Sequence, residues 1–362
     1  MADYTPEEVL NKNKRGNSLA GAYLVRISLR GEDLSKIQLK GANLQYADLT
    51  SATLTGADLS DADLSYANLN GVHMENADLS KCLLTGVDLT GAMCAGSNLA
   101  GAVLDDSKLG NCDLSGARLT GAKVRRATGA NLQAPFTNCN ETDFEEVRLE
   151  EANFRGASMI RSNFSKAVLY RSDLSGSDLK EAVLTRVNLE ESALFSAGFV
   201  EATMLKANLK GTRSSGADFA LANLTGADLS GGAYPKSVFR GAEMSQAVLN
   251  AGNFSECDLS YARMTYAAAE SSSFVKSSFV GANLKEAKLK KCLISGGDFQ
   301  GAKMTGCNLL GSDLTGSNLI SADLSRANVG GADFSRADMT GATIVGTDFA
   351  DAKLEGTKHP AG

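Results

Sequence analysis

The sequence is short of large and reactive side chains. Its 362 residues include no tryptophan, four prolines and two histidines, and aromatic residues make up only 6%. So few rings exclude a wide aromatic core, and two histidines leave little room for the acid–base and metal chemistry of most enzymes. There is no run of about 18 apolar residues, and the first residues, MADYTPEEVL, lack the apolar segment of a secretory signal. We therefore expect neither membrane insertion nor secretion, and we predict a cytoplasmic location.

Small and medium apolar residues are abundant instead. Hydrophobic residues make up 43% of the chain, mostly alanine and leucine, and 37 residues are glycine. This is enough apolar material for a sizeable but narrow core. The 36 basic and 42 acidic side chains leave a net charge of −6. That balance argues against direct binding to nucleic acid or to an anionic membrane, because such proteins are normally basic.

Five-residue repeats run through almost the whole chain. Segments such as GADLS, YANLN and GADFS share a small residue, then aspartate or asparagine, then a large apolar residue, which we call the centre. Centres fall at every residue number ending in 4 or 9 from Leu19 to Leu354, and 61 of these 68 positions hold Leu, Ile, Val, Met or Phe. The exceptions are Cys94, Gly129, Ala134, Cys139, Ser214, Tyr234 and Ala269. An unbroken phase of this length predicts a repeat architecture rather than separate domains.

A period of five fits neither an amphipathic helix nor an alternating strand. It predicts a chain that turns a corner every five residues and points the centre and the small residue inward. Aspartate or asparagine between them suits a tight turn, and glycine at the bend supplies backbone freedom. Phenylalanines recur at a spacing of twenty, as at Phe199, Phe219 and Phe239. This spacing indicates that four repeats complete one coil.

These repeats resemble the pentapeptide-repeat family, whose motif is A(D/N)LXX. The resemblance implies an all-β solenoid, a right-handed quadrilateral β-helix in which four repeats make one square coil. The 68 centres then correspond to about 17 coils. We expect one continuous β-helix over residues 17–356.

The two ends of the sequence differ from the repeat. Thr5-Pro-Glu-Glu8 is a capping box with proline at the first helical position, and Gly16 ends the predicted helix. Residues 1–16 are therefore expected to form a helical cap on the first coil. The tail, 357–362, is too short and polar to cover a coil, so we expect the C-terminal coils to dock onto a protein, most simply a second copy related by a two-fold axis. The candidate docking residues are Phe334, Met339, Ile344, Phe349 and Leu354.

One segment, residues 128–140, departs from the pattern. Its centres Gly129, Ala134 and Cys139 lack bulk, and an off-phase ANL occurs at 130–132. Either a bulged loop or a coil with distorted corners accounts for this. Because loops on a regular scaffold often carry function, the segment is a candidate interaction site. Its candidate residues are Thr128, Asn131, Gln133, Pro135, Phe136 and Asn138.

The cysteines and histidines do not indicate a reaction centre. Five of the seven cysteines occupy the small inward position, and Cys94 and Cys139 occupy centres. All seven are therefore expected to be buried free thiols, as in a reducing compartment. An odd number without Cys-x-x-Cys spacing argues against a zinc site, and neither His73 nor His359 has a catalytic partner arrangement. We predict no catalytic or metal-binding residues, no cofactor and no enzymatic activity.

Outward-facing charges form columns at a spacing of twenty. Acidic and basic residues alternate in several of them, which indicates ion ladders between coils, each pair worth little when exposed. One column contains three successive basic residues, Lys166, Arg186 and Lys206. A second basic cluster is formed by Lys285, Lys288, Lys290 and Lys291. Each is either a surface for an acidic partner or a solvated face.

Three functions remain open. The first is a non-enzymatic scaffold that binds other proteins. The second is DNA mimicry directed at DNA gyrase, which the resemblance implies for quinolone-resistance members of the family. The third is an accessory role in bacterial type VI secretion, because the segment TPEEVLNKNKRGNSLAGAYL resembles the lead-in of such proteins. A net charge of −6 is a weak field for a DNA mimic, so we predict the scaffold, with a protein partner.

Overall fold

The chain forms two compact units, Met1–Val183 (unit 1) and Leu184–Gly362 (unit 2). The computed structural model describes residues 3–360. As predicted, the architecture is a right-handed quadrilateral β-helix preceded by one short helix. The strands are single-residue parallel bridges, which run from Tyr23 to Val183 in unit 1 and from Asn188 to Lys358 in unit 2.

Helix α1 (Pro6–Lys14) begins with the predicted capping box. The Thr5 N–H donates to Oε2 of Glu8 (2.7 Å), and the Glu8 N–H donates to Oγ1 of Thr5 (3.3 Å), which satisfies donors that a helix start leaves free. The segment before the helix pairs with the first coil, because the Asp3 N–H donates to the Tyr23 carbonyl (2.7 Å) and Oδ2 of Asp3 accepts from the Tyr23 N–H (2.8 Å). No helix within residues 3–360 has the length and hydrophobicity needed to span a bilayer.

The bridges join residues twenty positions apart, which confirms that four repeats make one coil. Asn43 shows the pattern: its N–H donates to the Ala22 carbonyl (2.9 Å), and its own carbonyl accepts from the Leu24 N–H (2.7 Å). The bridging residue is the aspartate or asparagine position of each repeat. Each face of a coil is therefore one rung of a parallel ladder.

Most corners are tight turns closed by a hydrogen bond from the small residue to the preceding centre. The Ala47 N–H donates to the Leu44 carbonyl (3.0 Å), and Tyr46 between them has a φ of 60°, as a type II turn requires. Of the 68 residues at this corner position between residues 21 and 356, all but Asp351 have positive φ, and 39 of them are not glycine. Glycine is thus one solution at the bend, and the surrounding coil imposes the same conformation on other residues.

Many of the aspartates and asparagines before a centre hydrogen-bond the corner that follows, as predicted. Oδ1 of Asp58 accepts from the Ser60 N–H (3.0 Å) and hydroxyl (2.7 Å). Oδ1 of Asp48 accepts the same pair of bonds from Thr50. These bonds hold the pKa of the Asp48 carboxyl below its usual range, because they favour the charged form. The aspartates of the repeat therefore act as local turn residues.

Aromatic rings stack along two columns in the core of unit 2. Phe219 lies between Phe199 and Phe239, with a centroid separation of 4.9 Å on each side. A second column stacks Tyr234 on Phe254, also at 4.9 Å. All five rings are fully buried. The twenty-residue phenylalanine spacing therefore marks core packing.

Glycine at the small inward position makes room for some of these rings. A Cβ on Gly252 would lie 2.5 Å from Cε2 of Phe254, and one on Gly232 would lie 2.6 Å from Cε2 of Tyr234. The Tyr234 hydroxyl also needs polar partners, and it lies 2.7 Å from Oγ1 of Thr212. These two aromatic centres are thus accompanied by glycine at the small inward position of the same repeat, because a close-packed interior has no spare volume for a further side chain.

All seven cysteines are buried free thiols, as predicted. Sγ of Cys82 donates to the Leu59 carbonyl (2.8 Å), and Sγ of Cys292 donates to the Ala269 carbonyl (2.7 Å). Burial raises the pKa of both thiols to about 12. These cysteines serve as small apolar core residues.

We expect the cysteines to react very slowly with a thiol reagent in the folded protein. The thiolate is the reactive species, and at pH 8 a thiol such as Cys292, with a pKa of about 12, has roughly a thousandfold less thiolate than a free cysteine. Colour release from Ellman's reagent should stay near baseline in buffer and rise to the full thiol count in denaturant. Rapid labelling of the native protein would contradict the buried placement.

Candidate functional site

Residues 128–140 stay within the coils. Thr128, Gln133 and Asn138 each form a bridge to the residue twenty positions earlier, and the Pro135 carbonyl accepts from the Gly116 N–H (2.9 Å). The five-residue phase is unbroken here, so there is no extra chain to form a loop. Of the two alternatives from the sequence, the structure has the distorted coil and not the bulged loop.

The distortion is an exchange of large and small side chains. Leu132 occupies the small inward position and is buried, whereas Gly129 occupies the neighbouring centre. A Cβ on Gly129 would lie 2.3 Å from the nitrogen of Gly110 and 2.5 Å from the carbonyl carbon of Leu109. The backbone at Gly129 is therefore in contact with the preceding coil, with a φ of 154° that side-chain-bearing residues rarely adopt. Leu132 is a large buried side chain in the repeat that follows Gly129, and the centre of that repeat is the small Ala134.

The candidate residues of this segment do not form one site. Thr128, Gln133 and Asn138 lie on three different faces of the coil, whereas Asn131, Pro135 and Phe136 lie at corners. Phe136 is 72% exposed. A Cβ on Gly156 would lie 2.7 Å from Cδ1 of the Phe136 ring, so this ring lies against the bare backbone of the following coil. Phe136 is the exposed aromatic side chain of the segment.

The structure adds a groove that sequence reasoning missed. A cleft of about 350 Å³ is lined by Arg126, Thr128, Glu146, Arg148, Lys166 and Val168. A second cleft of about 240 Å³ lies on the other side of Arg148 and reaches Gly129 and Ala130. Arg148 is exposed, and within residues 3–360 its guanidinium has no ion-pair partner. Gly129, which lines the second cleft, is the one irregular residue of the repeat at this place.

The predicted basic column is not uniformly basic. In unit 1, Nζ of Lys166 lies 2.7 Å from Oε1 of Glu146, and this pairing lowers the pKa of the Glu146 carboxyl. In unit 2, Arg186 and Lys206 are both exposed, and neither forms an ion pair with any residue in the described part of the chain. Lys166 is therefore part of an ion ladder, whereas the two unit 2 residues remain candidates for an acidic partner.

The candidate C-terminal docking residues divide into two groups. Phe334 and Met339 are buried, with no more than 1% exposed. The centres of the last coil are half-buried: Ile344, Phe349 and Leu354. Beside them, Val345 is 70% exposed. The last coil thus presents apolar side chains that the preceding coils bury.

The register also changes in the last coil. Asp348 occupies a bridge position but forms no bridge to any described residue. The Gly331 N–H donates to the Asp351 carbonyl (3.1 Å), one residue later than the regular pattern, in which the Gly311 N–H donates to Gly330 (2.9 Å). Asp351 also lacks the positive φ of the other corners. One face of the last coil is therefore loosened.

Comparison of the sequence with known protein families gives a match that agrees with this coiled geometry. Pentapeptide repeats match residues 18–133, 137–232 and 237–356. The chain belongs to the pentapeptide-repeat family. The two internal gaps of the match contain Pro135 and Pro235, yet the coils of this pentapeptide-repeat protein continue through both. Comparison with curated protein sequences gives no significant match.

Solved structures of other pentapeptide-repeat proteins also match the chain. QnrB1, a plasmid-mediated fluoroquinolone resistance protein, is 21% identical over 46% of this chain and 92% of its own, with a TM-score of 0.28. HetL from the cyanobacterium Nostoc sp. strain PCC 7120, involved in heterocyst differentiation regulation, is 20% identical over 98% of this chain and 100% of its own, with a TM-score of 0.13.

Proposed function

We propose that this pentapeptide-repeat protein is a non-enzymatic scaffold that binds other proteins, and that its last coil is a docking end for a second copy. The observation that carries the proposal is the half-burial of Ile344, Phe349 and Leu354 beside the exposed Val345. Apolar patches of this kind, bordered by polar residues, are typical of protein interfaces.

Unpaired main-chain groups support a second coil as the occupant. In the body of unit 2, the N–H of a centre donates to the next coil, as the Leu324 N–H does to the Thr343 carbonyl (2.7 Å). The N–H groups of Ile344, Phe349 and Leu354 have no acceptor within residues 3–360. A coil end from another copy has the same square outline, apolar centres and unpaired groups. Two such ends can therefore pair across a two-fold axis.

Self-association of the full chain tests this proposal. Analytical ultracentrifugation should show a dimer for the native chain and a shift towards monomer for Val345→Asp, because a charge at this exposed position would be buried without a partner. Leu221→Asp is the matched control, since Leu221 is 59% exposed in unit 2 outside the last coil, and it should leave the dimer intact. A native chain that stays monomeric at its highest soluble concentration would contradict the docking end.

The cysteines and the paired surface charges bear on location and on the two alternatives. Seven free thiols are typical of a reducing compartment, which supports a cytoplasmic location.

Charges alternate through Asp106, Arg126 and Glu146, and Nη2 of Arg126 lies 2.8 Å from Oδ2 of Asp106. A DNA mimic needs unpaired negative charge along its surface, so we expect no inhibition in a gyrase supercoiling assay. The role in type VI secretion stays a prediction from the N-terminal segment.

A further inference from the structure

We propose that the lysine patch (Lys285, Lys288, Lys290 and Lys291) binds an acidic segment of a partner protein that also carries an apolar side chain. The patch lies within one coil of unit 2, where residues 285–291 carry four positive charges and one negative. Three of the lysines are exposed, and Lys290 is half-buried. The inference rests on the proposed scaffold function, because it states the chemistry of a protein partner, but it concerns a different surface.

The lysine patch is not neutralised by the protein itself. None of its four lysines forms an ion pair with a residue in the range 3–360. By contrast, three other basic residues of unit 2 pair with carboxylates twenty positions away: Lys236 with Glu256, Arg263 with Glu243, and Lys353 with Asp333. The patch is therefore a local excess of positive charge in a chain of net charge −6.

Coil register explains why Lys288 in particular is unpaired. Lys288 bridges Ala268 in the preceding coil and Asn308 in the next, and both neighbours are uncharged. Glu286, the one acidic residue within 285–291, turns towards the following coil: a Cβ on Gly306 would lie 2.7 Å from its Oε1. The carboxylate thus lies over Gly306, and the lysines remain available to an external anion.

Two exposed leucines border the patch. Leu293 is 54% exposed and follows Lys291 by two residues, while Leu310 is 37% exposed. The Leu310 carbonyl accepts from the Lys291 N–H (2.9 Å), which places this leucine directly beside the patch in the next coil. A ligand that offers carboxylates alone would leave both leucines in water. An acidic segment with an apolar side chain satisfies both features of the surface.

A protein segment fits this surface better than an extended polyanion. The net charge of −6 repels DNA or an anionic membrane at long range, whereas the patch acts within the Debye length of about 8 Å. Glu270 and Glu286 border the lysines and are exposed. A phosphate backbone or lipid surface would meet these carboxylates as well, but a peptide can place its own carboxylates between them.

Binding of a synthetic peptide to the full chain tests the inference. The probe is a short fluorescein-labelled peptide of glutamate and leucine, followed by fluorescence anisotropy, with its glutamine counterpart as the uncharged control. Combining Lys288→Glu with Lys291→Glu should weaken binding of the acidic peptide about tenfold, equivalent to roughly 1.4 kcal/mol. Lys236→Glu with Arg240→Glu changes the net charge equally, at paired basic residues outside the last coil, and should weaken it less than about twofold.

The outcomes separate this inference from the proposed function. The inference is overturned if both double variants weaken binding equally, or if the acidic peptide does not bind. It is also overturned if duplex DNA or phosphatidylserine vesicles bind more tightly than the peptide and in a way that depends on the patch. The reversed residues are exposed, and circular dichroism checks that the variants fold. Lys288→Gln with Lys291→Gln replaces any reversal variant that does not fold, with a smaller expected loss. Dimerisation through the last coil is unaffected by either result, so failure of one proposal leaves the other standing.

Discussion

Replacing Gly129 with leucine should destabilise unit 1, although this change restores the consensus residue of the repeat. A Cβ at this position would lie 2.3 Å from the nitrogen of Gly110, and the φ of 154° does not suit a side-chain-bearing residue. Leu132, three residues later, is already buried in the core. Overpacking and backbone strain together should cost about 2–4 kcal/mol. Hydrogen exchange of the unit 1 amides measures this loss without requiring the whole chain to unfold in one step.

A double variant distinguishes this explanation from a general intolerance of the site. Leu132→Ala alone should cost about 2–5 kcal/mol, because it empties a buried position. Gly129→Leu combined with Leu132→Ala restores a large centre at 129 and a small inward residue at 132, so the pair should cost less than the sum by about 2 kcal/mol or more. If the two costs simply add, the side-chain exchange is not what holds this coil.

Truncation of Phe219 to alanine should destabilise unit 2 by about 3–5 kcal/mol. Its ring is fully buried and stacks on Phe199 and Phe239 at 4.9 Å on each side. Both stacking contacts are lost at once, and a close-packed core cannot collapse to fill the cavity. The thermal unfolding midpoint and the exchange rates of unit 2 amides should both report the loss.

Phe195→Ala is the matched control for this prediction. Phe195 belongs to the same unit but is 41% exposed, and Arg213 lies 5.9 Å from its ring centroid. The same substitution there should cost no more than about 1 kcal/mol, because it creates no cavity and removes one exposed cation–π contact. Comparable losses at both positions would contradict the assignment of Phe219 to a core column.

The sequence predicted the fold well because the repeat fixes side-chain direction. A period of five, with small and large residues at set positions, determines which side chains face inward, so the burial of Cys82 and the stacking of Phe219 followed from residue number alone. The capping box was predictable for the same reason, because it depends only on Thr5 and Glu8, which lie three residues apart. Features that depend on one repeat at a time were therefore predictable.

Features that depend on compensation between repeats were not predictable. Gly129 and Leu132 each look like a defect in the sequence, and only the contact of Gly129 with the preceding coil and the burial of Leu132 reveal an exchange. Lys166 looked like part of a basic surface until the side chain of Glu146 was seen beside it. The unpaired Arg148 in the groove was missed for the same reason, since pairing depends on rotamers that a column of residue types does not specify.

The constant spacing of the bridges has a consequence for how the chain folds. Within each unit, a bridge joins residues twenty positions apart however many coils the unit contains. The entropy lost on closing each coil is therefore the same at every step, and relative contact order decreases as coils are added. Folding of such a chain can nucleate at any stable coil and then proceed by adding one coil at a time. Folding speed should then depend on the most stable coil rather than on chain length.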